Sequence, residues 1–206
     1  MSPRPYQLGQ RQAATELTRA RILNAARALL MESSGYSHFS IDAIARQADV
    51  ARMTVYHQFG SKIGLLEGLC DSLAASGGME QLVTAFRQAE PIDALREYLL
   101  VFNRFWEVDR LVMRRLRALA ALDPDFEQVI RTRDDWRRRG VRAIAERLVE
   151  RHVLSPGEAL DKTVDILLTL SSFETFDTLA GPTRSMEEVA PLLYQLTRAA
   201  LKLDST

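Results

Sequence analysis

The chain has 206 residues, 27 Lys and Arg against 27 Asp and Glu, and 47% apolar residues. That is enough apolar surface for one large domain or two smaller ones. The single cysteine, Cys70, excludes an intrachain disulfide. No apolar run reaches the roughly eighteen residues of a membrane span, and the N-terminal MSPRPYQLGQRQ lacks the apolar centre of a signal peptide. A cytoplasmic protein without membrane contact is therefore expected.

Residues 1–15 contain Pro3, Pro5 and Gly9 and read as a flexible arm. Arg4 and Arg11 on it are placed to reach a minor groove, although a tail with no such contact is the simpler reading. Ile22, Leu23, Ala26, Leu29 and Leu30 then repeat with helical spacing, and Gly35 offers a stop. Ser40 is a good N-cap for a second helix, Asp42 complements its positive end, and Ile41, Ile44, Ala45 and Ala48 make its apolar face. Asp49 falls where the chain must turn sharply, a place for a left-handed backbone.

A third helix is expected from about Ala51 to Phe59, with Val50, Val55 and Phe59 inward. Its other face carries Arg52, Met53, Thr54, Tyr56 and His57. Such groups suit a major groove: Arg binds guanine edges, the Thr methyl meets thymine, and Tyr and His reach phosphates. The competing reading is an ordinary solvated face with Tyr56 half-buried. Gly60-Ser61-Lys62 then opens a helix through Leu65, Leu66 and Leu69, whose start beside a lysine suits a phosphate. Cys70 reads as a small packed hydrophobe on that helix. Through residue 65 the chain has eight Lys and Arg against four Asp and Glu, a net +4, leaving −4 for the rest. A basic head on an acidic body places a polyanion partner at one end only.

In order, Gly35-Tyr36, Ser40-Ile41-Asp42-Ala43-Ile44-Ala45, Ala48-Asp49-Val50, Thr54-Val55-Tyr56-His57-Gln58-Phe59 and Ser61-Lys62 resemble the N-terminal domain of the TetR family of bacterial transcription regulators. The resemblance covers about Arg19 to Leu69. It departs at Asp49, where the turn is usually Gly, at Ala51, where a capping Ser or Thr is common, and at Met53, where a small residue is usual. It implies that Arg52, Met53 and Thr54 approach bases, that Ser40, Tyr56, His57 and Lys62 hold phosphates, and that residues 16–65 are the DNA-binding domain.

Beyond residue 75 the chain reads as helical throughout. Gly77-Gly78, Pro91, Asp123-Pro124, Ser155-Pro156 and Gly181-Pro182 separate helices of about 79–89, 92–108, 110–121, 124–152, 157–179 and 186–203. With no alternating β-runs, the fold class is all-α in two parts; the resemblance implies a three-helix head, then a larger effector-binding and dimerisation domain over 66–206. Phe102, Phe105, Trp106, Met113, Leu116, Trp136, Phe173 and Phe176 are apolar candidates for lining a ligand cavity, with Asn103, Ser172, Thr169 and Thr175 as polar ones. Taken singly, each reads as core or as backbone-bonded; the pocket is implied by the resemblance, as is a small apolar or aromatic effector. Leu160, Val164 and Leu167, with Leu192, Leu196, Ala199 and Leu203, form stripes that pack helix on helix, within one subunit or across a homodimer. The resemblance implies the homodimer, through a four-helix bundle.

Arg110, Arg114 and Arg117, and Arg137, Arg138 and Arg139, read as solvated faces, with i,i+4 partners such as Asp134–Arg138. His38, His57 and His152 lie far apart, and no metal-ligand, nucleophile-elbow or phosphate-loop motif occurs. No metal, cofactor or catalytic activity is expected. The expectation is a homodimeric repressor released from a palindromic double-stranded DNA operator by a small molecule. Two alternatives stay open: the same fold as an activator or answering a protein partner, and a helical carrier or enzyme with an incidental helix-turn-helix.

Overall fold

The computed structural model describes residues 4–32, 39–154 and 159–203, with side chains from Gln10 onward. Gly35, Tyr36, His38, the Ser155–Pro156 turn and the Arg4 side chain lie outside the described residues. Among the described residues, every regular element is helical: α1 Arg4–Met31, α2 Ile41–Gln47, α3 Arg52–Phe59, α4 Lys62–Ser76, a 3-10 turn Met79–Gln81, α5 Leu82–Arg87, α6 Pro91–Val108, α7 Arg110–Ala120, α8 Pro124–Glu150, α9 Leu160–Leu170, α10 Phe173–Ala180 and α11 Met186–Ala200. None of the described helices is long and apolar enough to cross a membrane.

The chain forms two compact units, Met1–Ser72 with Leu111–Glu127, and Leu73–Arg110 with Gln128–Thr206. The expected division at residue 65 thus falls inside α4, which runs unbroken past it to Ser76. In the first unit α1 extends from Arg4, taking in most of the expected arm; Pro5 is tolerated there because it stands in the first turn. Ile22, Ala26, Leu30, Ile44, Val55 and Leu65 have no exposed surface and form the core of this unit. Asp49 has φ 52°, the left-handed turn its position demanded. Arg21 of α1 secures that turn by donating to Ala48 O at 2.5 Å and Asp49 O at 3.0 Å. Arg115 of α7 donates to Leu30 O and to Glu32 O, closing the C-terminal end of α1.

In the second unit α6 packs on α5 and α11, and α9 and α10 pack on α11. The segment expected as one helix over 157–179 is two. Ser171 ends α9, and Ser172 caps α10, its Oγ accepting from Thr175 N at 3.2 Å. Side chains secure the break: Trp106 Nε1 donates to Ser171 O at 3.1 Å, and Arg137 donates to Ser171 Oγ at 3.0 Å and to Leu168 O. Gly77, at the end of α4, lies so close to α6 that a Cβ would meet Phe105 Cα at 2.8 Å. The α11 start is a capping box: Ser185 Oγ accepts from Glu188 N at 3.1 Å, and Glu188 accepts from Ser185 N at 2.7 Å.

Of the arginines expected on solvated faces, Arg137 and Arg110 are instead bonded inside this unit, while Arg138 keeps an exposed ion pair. Arg137 is buried, and its Nη2 reaches Asp134 at 3.2 Å. Arg138 reaches Asp165 of α9 at 2.8 Å, and Arg142 reaches Asp161 at 2.6 Å. Arg110 makes four hydrogen bonds to the segment from Asp177 to Arg184. Helical periodicity shows which positions share a face but not which neighbouring helix that face meets.

Candidate nucleic-acid interface

The α2–turn–α3 pair is built from local signals. Ser40 caps α2, its Oγ accepting from Ala43 N at 3.2 Å. Ala51 has the extended backbone of an N-cap, φ −67° and ψ 145°, and no side-chain bond to the helix it starts. Gly60, at φ 73°, ends α3 and donates to Tyr56 O at 2.7 Å. Val55 is fully buried, while Val50 and Phe59 are half-buried. Phe59 is covered by Arg19, whose guanidinium lies 4.3 Å from the ring centre and donates to Gln58 O at 3.0 Å.

Of the residues expected to meet DNA, Ser40, Arg52, Met53 and His57 are exposed, and Thr54, Tyr56 and Lys62 are half-buried. Five of the seven stand on α3 and share one short stretch of surface. Ser40 uses its hydroxyl on its own helix. Ser61 Oγ accepts from Gly64 N at 3.0 Å, so one N–H at the start of α4 is satisfied internally. Lys62 Nζ stands 5.9 Å from the Phe39 ring centre. The Arg52 guanidinium is held by Asp42 and Tyr56; the bond to Tyr56 first, and the Asp42 charge second, push its pKa above the ordinary value, so it stays cationic. Arg19 and Arg21, which brace Phe59 and the turn, are structural supports that the sequence pattern does not single out. Their partners are backbone carbonyls and a ring some thirty to forty residues away.

The second unit contains a cavity of about 1000 Å³, lined among others by Leu99, Asn103 and Glu107 of α6, Phe176 of α10, and Pro191 and Tyr194 of α11. Of the expected ligand residues, Asn103 and Phe176 line it. Asn103 Nδ2 is committed to Met186 O at 2.5 Å. Glu107 is committed in part, accepting from Met186 N at 2.5 Å. Pro191 has no N–H to offer the Glu187 carbonyl one turn back, and both residues border the cavity.

The other expected lining residues stand elsewhere. Phe102, Phe105, Trp106 and Phe173 stack on one another, with Phe105 and Trp106 ring centres 4.4 Å apart and Trp106 and Phe173 5.6 Å apart. Tyr98 closes this stack, 4.8 Å from Phe102, and burial pushes its phenol pKa up against the opposing pull of Arg137. These rings satisfy each other as core. Met113 and Leu116 are buried in the first unit. Trp136 is 69% exposed beneath Arg139, and Ser172 is a helix cap. Thr169 and Thr175 each give their hydroxyl to a backbone carbonyl.

Of the expected interface stripes, Val164, Leu167 and Leu203 are buried within the chain and Leu160 is half-buried. Leu192, Leu196 and Ala199 of α11 are exposed. Ile166 and Leu170 of α9 are half-buried and, with Ala200, border a shallow second depression.

Residues 22–69 match the family of bacterial regulatory proteins described as the tetR family. Over 124 residues the chain is 31% identical to the HTH-type transcriptional regulator AlkX of Mycobacterium tuberculosis, a match that covers 59% of this chain and 56% of that protein. The chain thus spans just over half the length of this curated relative. Its fold is that of the TetR family regulator PfmR of Thermus thermophilus, with a TM-score of 0.66 at 22% identity, covering 91% of this chain and 96% of the other. A TetR regulator of Haloarcula marismortui superposes with a TM-score of 0.68 at 19% identity, covering 91% and 97%. The helix-turn-helix of α2 and α3 lies within residues 22–69, the segment that matches the tetR family of bacterial regulatory proteins.

Proposed function

We propose that the chain is a homodimeric, DNA-binding transcription regulator that represses from a palindromic operator and is released by a small molecule. The observation that carries this reading is the α3 surface. Arg52, Met53, Tyr56 and His57 project from a helix braced by Arg19, Arg21 and Val55, and that pairing of a rigid support with mixed polar groups suits the major groove. Lys62 supplies a phosphate contact beside it. The exposed Leu192, Leu196 and Ala199 of α11 are the face on which two copies pair, which sets two recognition helices on half-sites about 34 Å apart.

The effector enters the cavity of the second unit, whose apolar floor takes a small apolar or aromatic body and whose polar edge orients it. α4 is continuous from Lys62 to Ser76, so displacement of its last turns by ligand carries to the end beside the recognition helix. The effector acts only through its different affinity for the two states, and a coupling of about 1–3 kcal/mol lowers operator affinity about 5–150-fold.

The experiment is a selection of genomic duplex fragments by the purified protein at physiological salt, with and without cell extract as a source of effector. A palindrome with half-sites about one helical turn apart, or a multiple of it, is expected. Arg52→Ala relaxes preference at one position, whereas Lys62→Ala weakens all sequences alike and lowers the salt slope by about 1. Equal losses on operator and random DNA from Arg52→Ala refute its base-reading role, and no enrichment under either condition refutes the reading as a whole.

A further inference from the structure

Asp42 stands in the first turn of α2, where its charge complements the helix end. A carboxylate on a surface meant to meet phosphates is electrostatically unfavourable, which calls for a compensating task. The geometry supplies one. Both Asp42 oxygens accept from Arg52 Nη1 at 3.1 Å, across the turn between α2 and α3. Nη2 of the same guanidinium donates to Tyr56 Oη at 3.3 Å, one helical turn on, and the Tyr56 ring centre lies 5.6 Å from the guanidinium carbon. The group is thus anchored from two helices while 56% of the side chain is exposed.

An unanchored arginine loses its rotamer freedom when it meets a base; one already held has less to lose. The two anchors use Nη1 and one Nη2 hydrogen. Nε–H and the second Nη2–H remain for acceptors such as O6 and N7 of guanine.

We propose that Asp42 is a positioning residue for base reading: with Tyr56 it holds Arg52 in the orientation that selects guanine at one position of each half-site. The inference rests on the DNA-binding reading above and adds to it the residue that sets base preference.

The test uses the full chain in four further forms, Asp42→Asn, Tyr56→Phe, Arg52→Ala and the double variant Asp42→Asn/Arg52→Ala. Each is taken with the wild type through selection from a random duplex library at fixed salt. Affinities are then measured on the selected duplex and on the same duplex with that guanine pair replaced. The wild type discriminates between the two by about tenfold or more. Asp42→Asn lowers that ratio to about threefold or less, and adds nothing in the Arg52→Ala background. Tyr56→Phe weakens discrimination at the same base pair and serves as the second probe if far-UV circular dichroism shows that Asp42→Asn has not folded.

If Asp42→Asn leaves the base preference unchanged and tightens every duplex by one common factor with a steeper salt dependence, Asp42 is a surface charge only and the inference falls. Absence of any sequence preference in the wild type removes the regulator reading itself. That result is distinct from an Asp42 variant that still selects the wild-type palindrome.

Discussion

Replacing Arg110 by alanine tests whether one side chain holds the C-terminal end of α10. Its Nε reaches Asp177 Oδ1 at 2.5 Å, its Nη1 reaches Arg184 O at 3.0 Å, and its Nη2 reaches Asp177 O at 3.0 Å and Gly181 O at 2.6 Å. The ion pair is 17% and 20% exposed on its two sides, so solvent screens it only in part. Removal of one partner from a buried pair costs about 3–5 kcal/mol. The residual exposure puts Arg110→Ala at the lower end, about 3 kcal/mol. Arg110→Lys retains a charge but not the fork, and costs about half as much. Removing Asp177 in the Arg110→Ala background then costs less than removing it alone.

Urea unfolding followed by intrinsic fluorescence is the assay, since both tryptophans, Trp106 and Trp136, belong to the second unit and report on it alone. A loss of less than about 1 kcal/mol, with an unchanged slope, would falsify the clamp and return Arg110 to the class of screened surface cations.

Three further outcomes are expected. Asp49→Gly stabilises the first unit by about 0.5 kcal/mol, because relief of the left-handed strain at φ 52° exceeds the extra freedom of Gly in the unfolded chain. The Arg21 bonds to Ala48 O and Asp49 O survive that change, and the exposed 3.8 Å ion pair that it removes contributes little; a lower urea midpoint by circular dichroism speaks against it. Ala51→Ser adds the missing cap to α3 and stabilises the same unit by about 1 kcal/mol, read as slower amide exchange in the first turn of α3; unchanged exchange is the contrary result. The Ser185 backbone bond, then the Ser185 side chain, hold the Glu188 carboxyl below its ordinary pKa. Its capping contribution is therefore complete above the ordinary carboxylate range and is lost as pH falls through that depressed value. A carboxylate NMR titration with a midpoint at or above the ordinary Glu value contradicts this.

The parts of the fold legible in the sequence are those fixed within one or two helical turns. Ser40, the apolar spacing of Ile41, Ile44 and Ala45, the left-handed Asp49 and the Gly60 stop define α2 and α3 from residues that touch each other, so their pattern survives without knowledge of the rest. The start of α11 was equally local, since Ser185 and Glu188 are three residues apart. The break at Ser171–Ser172 is different in kind. Its hydrogen-bonding groups are satisfied by Trp106 and Arg137, 65 and 34 residues away, and without them the apolar spacing reads straight through.

The same distance rule explains the site. An α3 surface follows from a helix and its face, whereas a cavity is space left between helices, and its lining depends on how tightly the aromatic residues consume each other. Phe102, Trp106 and Phe173 are closely stacked, so the space falls beside Asn103 and Phe176, toward the α11 turns that carry Glu187 and Pro191. Asp42 lies between these cases. It is near Arg52 in sequence, yet its bond crosses a turn whose geometry depends on Asp49 adopting a positive φ. A change that straightens that turn would therefore separate Asp42 from Arg52 without touching either residue, and would alter base preference before it altered the helices themselves.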